Sequence, residues 1–278
     1  MAFVKKLIFI FENSNDSERD CPMKKILFFD VDGTLYNSAK QLPASAKAAL
    51  LEARNNGYEL AIATGRAPFM IQSLLDELDI HTYVTFNGQY VVYQGEVVYA
   101  GGIEKEILGQ IIAFGEARNE PVVFLDDKQM IASIGDHDKV AESLNTLKYP
   151  YPNLDSSYYM QHDVYQTLIF MEEKDEELYR KTFPDVQFVR WHKYSCDILP
   201  KGGSKAAGIE KLLAKMNLTM DDAIAFGDGL NDVEMLEAVG VSVAMGNGHD
   251  KAKAVATHIA EHVDADGLAK IMRQLKII

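Results

Sequence analysis

Asp30 and Asp32 stand one residue apart at the end of the run Ile26-Leu27-Phe28-Phe29. A carboxylate is a nucleophile, a proton donor or acceptor, and a ligand for hard cations, so two at one place can divide those tasks. Four consecutive apolar residues, ended by the break at Gly33, fit a strand buried on both faces of a parallel sheet. The pair then falls at the strand's C-terminal edge, where open α/β sheets bind their ligands. Asp-x-Asp-Gly is also a common turn, and alone it leaves a structural reading standing.

Three further groups recur at expected strand ends or helix starts: Ala63-Thr64-Gly65-Arg66, Gly203-Ser204-Lys205, and Gly227-Asp228-Gly229-Leu230-Asn231-Asp232. Each alone has a bland alternative, a turn after a strand or a loop into a helix cap. Their joint occurrence, in order and after Asp30-Val31-Asp32-Gly33-Thr34, resembles the haloacid dehalogenase (HAD) superfamily, in particular its Cof-type phosphatases with a C2B cap. The resemblance covers Met23 to the C-terminus.

The resemblance implies a Mg²⁺-dependent phosphatase that hydrolyses small phosphorylated metabolites, sugar phosphates foremost, through an aspartyl-phosphate. It assigns Asp30 as nucleophile and metal ligand, Asp32 as general acid and base and as a ligand through its backbone oxygen, and Asp228 as the third ligand. Val31, Thr64, Gly65, Lys205 and Asn231 are implied as phosphate contacts, and Asp232 as an acid behind the metal site. The chemistry is consistent with these types: a metal ion relieves the repulsion between a carboxylate and a phosphate dianion, and Mg²⁺ suits oxygen ligands. Thr64 and Gly65 offer a hydroxyl and an open N–H, and Lys205 an ammonium at a helix start. Relatives that cleave phosphorus–carbon bonds lack the second acid, so Asp32 favours ester hydrolysis. The rivals are a phosphomutase of the same superfamily and a non-catalytic phosphometabolite-binding regulator; the latter is expected to lose part of the acid set, and none is lost here.

The elements that must position these residues are an α/β core, a doubly wound parallel sheet (HAD-like Rossmannoid), with an inserted α+β cap domain. Strand, helix, strand, helix, strand over residues 26–86 gives the first part of the core. Gln94-Gly95 then joins two alternating runs as a hairpin, which marks a change of pattern. Mixed strands and helices follow to Trp191, after which the parallel order resumes with Ser195–Ile198 as its first strand. The expected division is 1–22 as a poorly ordered extension, 23–88 and 191–278 as core, and 89–190 as cap.

Bulk properties bound the partners. The 278 residues carry a net charge of −13, which argues against nucleic acid and anionic membrane surfaces as partners but not against a small anionic substrate. The composition, 47% hydrophobic and 25% charged, is that of a soluble globular chain. Cys21 and Cys196 cannot build a disulfide framework, so a reducing, cytoplasmic setting is expected. The apolar run Leu7–Phe11 is too short for a span and lacks a cleavage site of secretory type. Trp191, Tyr158 and Tyr159 read either as pocket lining or as cap core, the histidines show no metal-ligand spacing, and Asn247 is a bystander beside the site.

Overall fold

A computed structural model describes residues 25–278, so the extension expected over 1–22 and Cys21 lie outside the described residues. The chain runs β1 (Ile26–Phe29), α1 (Ala44–Asn55), β2 (Glu59–Ala63), α2 (Pro68–Leu78), β3 (Tyr83–Thr85), and the hairpin β4 (Tyr90–Tyr93) and β5 (Glu96–Ala100). Next come α3 (Lys105–Glu116), β6 (Val122–Leu125), β7 (Met130–Ala132), α4 (Asp138–Thr146), β8 (Asn153–Leu154), α5 (Tyr158–Gln161), β9 (Gln166–Phe170), α6 (Glu173–Thr182), β10 (Val186–His192) and β11 (Ser195–Pro200). The last stretch is α7 (Lys205–Met216), β12 (Ala223–Gly227), α8 (Val233–Ala238), β13 (Val241–Ala244), α9 (Asp250–Val255), β14 (His258–Ile259) and α10 (Gly267–Gln274). Among the described residues no helix is long and apolar enough to cross a membrane.

An eight-stranded sheet has the order β14-β13-β12-β1-β2-β3-β4-β5. Its strands are parallel from β14 to β3. β1 lies between β12 and β2, with Phe29 opposite both Phe226 and Ile62. The alternation of a central strand explains its unbroken apolar run: Leu27 and Phe29 enter one core cluster, Ile26 and Phe28 the other. The Phe29 and Phe226 rings stack at 4.8 Å, and Asp30 therefore emerges from a rigid, twice-covered strand.

A six-stranded sheet has the order β10-β11-β9-β6-β7-β8 and is antiparallel except between β7 and β8. One face packs beneath α3 and α6 through Leu108, Ile111 and Tyr179. Leu125, Leu168 and Phe170 on the other face share a cluster with Phe86, Tyr90 and Val92 of the first sheet.

Two boundary expectations change. The hairpin expected to open the inserted segment at residue 89 belongs to the first sheet, because Thr85 pairs with Tyr90 and the pairing buries Val91 and Val92 against the core. Ser195–Ile198, expected as the first returning parallel strand, is antiparallel to both β10 and β9 and belongs to the second sheet. The chain thus passes between sheets after Ala100 and after Pro200, at Gly101-Gly102 and Lys201-Gly202-Gly203, rather than at 88/89 and 190/191. β8 and α5, two and four residues long, are too short to show a period.

Candidate active site

The chain leaves β1 in a tight reversal. Asp30 N–H still donates to Phe226 O at 2.9 Å, and then Leu35 and Tyr36 N–H both turn back to Val31 O, at 3.1 and 2.7 Å. Gly33 holds φ +81°, and a Cβ there would sit 2.2 Å from Asp228 Oδ2, so both the turn and the approach of the Asp228 carboxylate require glycine. Val31 itself is buried in the core.

Ser204 caps α7 by accepting from Ala207 N–H at 3.3 Å, and Lys205 follows as the first helical residue. Its side chain is fully buried, and its ammonium donates to Asp30 Oδ1 at 2.6 Å and to Asp232 Oδ1 at 2.5 Å. The second oxygen of Asp232 accepts from Asp228 N–H at 2.9 Å and Gly229 N–H at 2.8 Å. Asp232 therefore fixes both the lysine and the loop that presents Asp228. Carboxylate oxygens of Asp30, Asp228 and Asp232 all lie within 4.8 Å of one another.

Three carboxylates lie together with one ammonium, which bonds two of them, and the titration of the group reflects it. Burial pushes Asp30 up to about 8; Lys205 pulls it down, while Asp232 and Asp228 push it further up. Asp228 is pushed up to about 6, by burial first and by Asp232 next. Burial pulls Lys205 down, but Asp232 and Asp30 outweigh it and hold the ammonium above its ordinary value. An excess of buried negative charge on oxygen donors alone is the environment of a hard divalent cation, so the residues present fit Mg²⁺.

Asp32 faces elsewhere. Arg66 grips its carboxylate with two N–H groups, Nε to Oδ2 at 2.6 Å and Nη2 to Oδ1 at 2.8 Å, and Lys40 Nζ adds a third bond at 2.7 Å. Burial pushes this carboxyl upward, yet the bonds and charges of Arg66 and Lys40 outweigh it and hold Asp32 below its ordinary range.

The register of β1 with β2 carries Thr64 and Gly65 to the same edge. Thr64 is buried, its N–H bonded to Val84 O at 2.9 Å and its Oγ1 accepting from Arg66 N–H at 3.2 Å. A Cβ on Gly65 would meet the Asn87 amide at 3.0 Å. Asn87, at φ +50°, accepts from Asn231 Nδ2 at 3.0 Å, which ties the Gly65 turn to the Asp228 loop. All nine residues singled out from the sequence thus stand at the C-terminal ends of β1, β2 and β12 or at the start of α7. The cluster of side-chain oxygens is made by Asp30, Asp228 and Asp232, while the Asp32 side chain is bound to Arg66, apart from the backbone oxygen through which Asp32 is expected to act as a ligand.

Four residues gain a place that motif reading does not give them. Arg66 lies within a quoted motif but without a role, and Lys40 sits on a loop with no motif. Asn87 is a single asparagine outside the quoted motifs; Asn247, expected beside the site as a bystander, is more than that, because its Nδ2 donates to Gly33 O at 2.8 Å and reaches Asp228 Oδ2 at 3.3 Å. Of the aromatic residues, Tyr158 is core of the second sheet, with Tyr159 packed against it, and Trp191 packs on the opposite face.

A parallel sheet with an acid–lysine knot at its carboxyl edge defines a hydrolase-type α/β enzyme. The chain belongs to the haloacid dehalogenase-like hydrolases, whose family model matches residues 27–272. It is 38% identical to YkrA of Bacillus subtilis (strain 168), whose name assigns it provisionally to the phosphatases, over 91% of this chain and 98% of that protein. A solved structure from Geobacillus kaustophilus HTA426 superimposes with a TM-score of 0.89 at 44% identity, covering 92% of this chain and all of the other. The HAD subclass IIB sugar phosphatase BT4131 gives a TM-score of 0.80 at 29% identity, with 92% of this chain and 100% of that chain covered. The chain is an enzyme of the phosphatase class within this family, a hydrolase of phosphate esters.

Proposed function

We propose that the protein is a Mg²⁺-dependent phosphatase that hydrolyses small phosphorylated metabolites, sugar phosphates foremost, through an aspartyl-phosphate on Asp30 in the cytoplasm. The observation that carries this reading is the buried Lys205 ammonium held between Asp30 and Asp232 beside Asp228. Lys205 pins Asp30 through Oδ1, which leaves Oδ2 as the attacking atom. Asp30, Asp228 and the backbone oxygen of Asp32 would hold Mg²⁺, which when bound neutralises charge between the carboxylate and the phosphate. Asp232, with both oxygens engaged, orients that set from behind. The backbone N–H groups of Val31 and Gly65, the Thr64 hydroxyl, the Asn231 amide and the Lys205 ammonium are the donors available to the transferring phosphoryl oxygens.

Asp32 takes the proton work: it protonates the leaving alcohol and then deprotonates the water that cleaves the acyl phosphate. Arg66 and Lys40 hold it ionised, which suits the second half. The first half requires the protonated form: an incoming anionic ester competes with Asp32 for the guanidinium, and the released, part-buried carboxyl takes from solvent the proton it then passes to the leaving oxygen.

The test is phosphate release from a panel of phosphorylated metabolites. Activity is expected to vanish in a chelator and return with Mg²⁺ but not with Ca²⁺, which prefers more ligands at longer distances. Full activity in the chelator overturns the metal assignment, and an isomeric phosphate product in place of free phosphate overturns hydrolysis in favour of a mutase.

A further inference from the structure

The chain crosses between the two sheets at Gly101-Gly102 and at Lys201-Gly202-Gly203, and the side chain of Gln89 stands between the crossings. A Cβ on Gly203 would run into Gln89 Nε2, and one on Gly101 would lie 2.7 Å from Gln89 Oε1. Each crossing thus has glycine where it meets the amide. Gly101 N–H also donates to Gln89 O at 2.8 Å. Gln89 is 3% exposed, and its Oε1 is buried without a hydrogen-bond partner among the described residues. Buried amides are nearly always bonded, so this one is held by packing and acts through its shape.

The second crossing leads straight into the site. Gly203 N–H closes a reversal onto Pro200 O at 3.2 Å, with Gly202 at φ +77°, and Ser204 and Lys205 follow. The first turn of α7 rests on the residue before Gln89: a Cβ on Gly88 would run into Ser204 O, and one on Gly208 would lie 2.6 Å from Gly88 Cα. Residues 86–88 form this support in left-handed backbone throughout, Phe86 at φ +52°, Asn87 at +50° and Gly88 at +94°. A bulky residue such as Phe86 keeps that conformation only where its surroundings impose it, and such positions cluster at functional sites. One short segment therefore carries Asn87 to Asn231, Gly88 to α7 and Gln89 to the crossings.

We propose that Gln89 is a positioning residue for Lys205: wedged between the crossings, it fixes the turn that delivers the ammonium to Asp30. The inference rests on the phosphatase reading for what Lys205 and Asp30 do. Gln89 acts through the chain that enters α7 and not on the substrate, at the place where the second sheet joins the first.

Two readouts test it in Gln89→Ala, Gln89→Met, Gly203→Ala and the double variant Gln89→Ala/Gly203→Ala. The first is the rate at which acetic anhydride modifies Lys205, a fully buried amine, read by peptide mass spectrometry. Local loosening is expected to raise that rate about tenfold in Gln89→Ala and in Gly203→Ala, whose methyl displaces the amide, and to leave Gln89→Met near the wild type. The double variant is expected to return toward the wild type, because one change vacates the space that the other fills and the remaining close contact, Pro200 O, lies at 3.2 Å. Iodoacetamide labelling of Cys196, buried in the second sheet, reports global opening and is expected to stay constant. The second readout is kcat: a misplaced Lys205 lowers it about tenfold or more, on p-nitrophenyl phosphate and on sugar phosphates alike, with the same rescue in the double variant. Unchanged Lys205 protection in Gln89→Ala, Lys205 and Cys196 labelling that rise together, losses that add in the double variant, or a kcat untouched by the loosening each overturn the proposal. Labelling needs no turnover, so a wild type that cleaves no ester overturns the phosphatase reading alone.

Discussion

Replacing Lys205 with methionine keeps the volume of the side chain and removes the ammonium that bonds both Asp30 and Asp232. Both carboxylates are buried, with side-chain exposures of 8% and 0%. Removing one partner of a buried ion pair costs ~3–5 kcal/mol, and here one ammonium serves two partners at 2.6 and 2.5 Å, which sets the upper end. Protonation limits the loss. Without Lys205 the folded-state pKa of Asp30, already pushed to about 8, rises further above its unfolded value. A raised carboxyl costs stability as pH climbs from the unfolded value through the folded one, so the destabilisation is expected to be small near pH 5 and largest above about pH 8. Urea unfolding of Lys205→Met and wild type across that range measures it. Mg²⁺ at a hundredfold excess over its Kd is expected to return ~2.7 kcal/mol to a variant that still binds it. A loss below ~1 kcal/mol at every pH, or one larger at acid pH, refutes the reasoning.

Three further outcomes follow from the same geometry. In Gly33→Ala the new Cβ meets Asp228 Oδ2, so Mg²⁺ affinity by calorimetry is expected to fall well beyond the ~1–2 kcal/mol backbone cost in stability; unchanged affinity counts against Asp228 as ligand. Arg66→Ala removes the strongest brake on Asp32, so burial raises its carboxyl and the acid limb of the kcat/KM profile moves to higher pH; an unshifted limb removes Asp32 from proton transfer. Asp197, raised to about 7 by burial, costs stability increasingly between its unfolded value and that pH, so Asp197→Asn is expected to gain Tm at pH 8 and little at pH 4, up to a ceiling of ~4 kcal/mol; a gain confined to acid pH contradicts this.

Much of the scaffold is written in local chemistry. The apolar run before Asp30 announces a strand covered on both faces, and β2, α2, α7 and β13 begin and end where Pro68, Ser204 and the period changes place them. Partner choice between strands is not local. Gln94-Gly95 specifies a hairpin but not the sheet it joins, and only the pairing of Thr85 with Tyr90 decides that. Ser195–Pro200 has the composition of a core strand, and its direction depends on β10 and β9 folding against it. Asp30 and Asp228 were legible because each closes a strand, and Asp32 and Asp232 because they stand in the same motifs; the side-chain bonds among them were not. Asn87 and Asn247 act through contacts with residues far along the chain, and Arg66 reaches Asp32 from a neighbouring strand end.

The central claim is that Asp30 carries the phosphoryl group between two half-reactions. Acid quenching during turnover with Mg²⁺ and a cleaved ester, followed by peptide mass spectrometry, tests it directly. The account predicts a phosphorylated peptide with the modification on Asp30, no phosphopeptide and no turnover in Asp30→Asn, and accumulation of the phosphorylated form when Asp32→Asn slows its hydrolysis. Undiminished phosphate release by a folded Asp30→Asn protein, or phosphorylation on another residue, contradicts it.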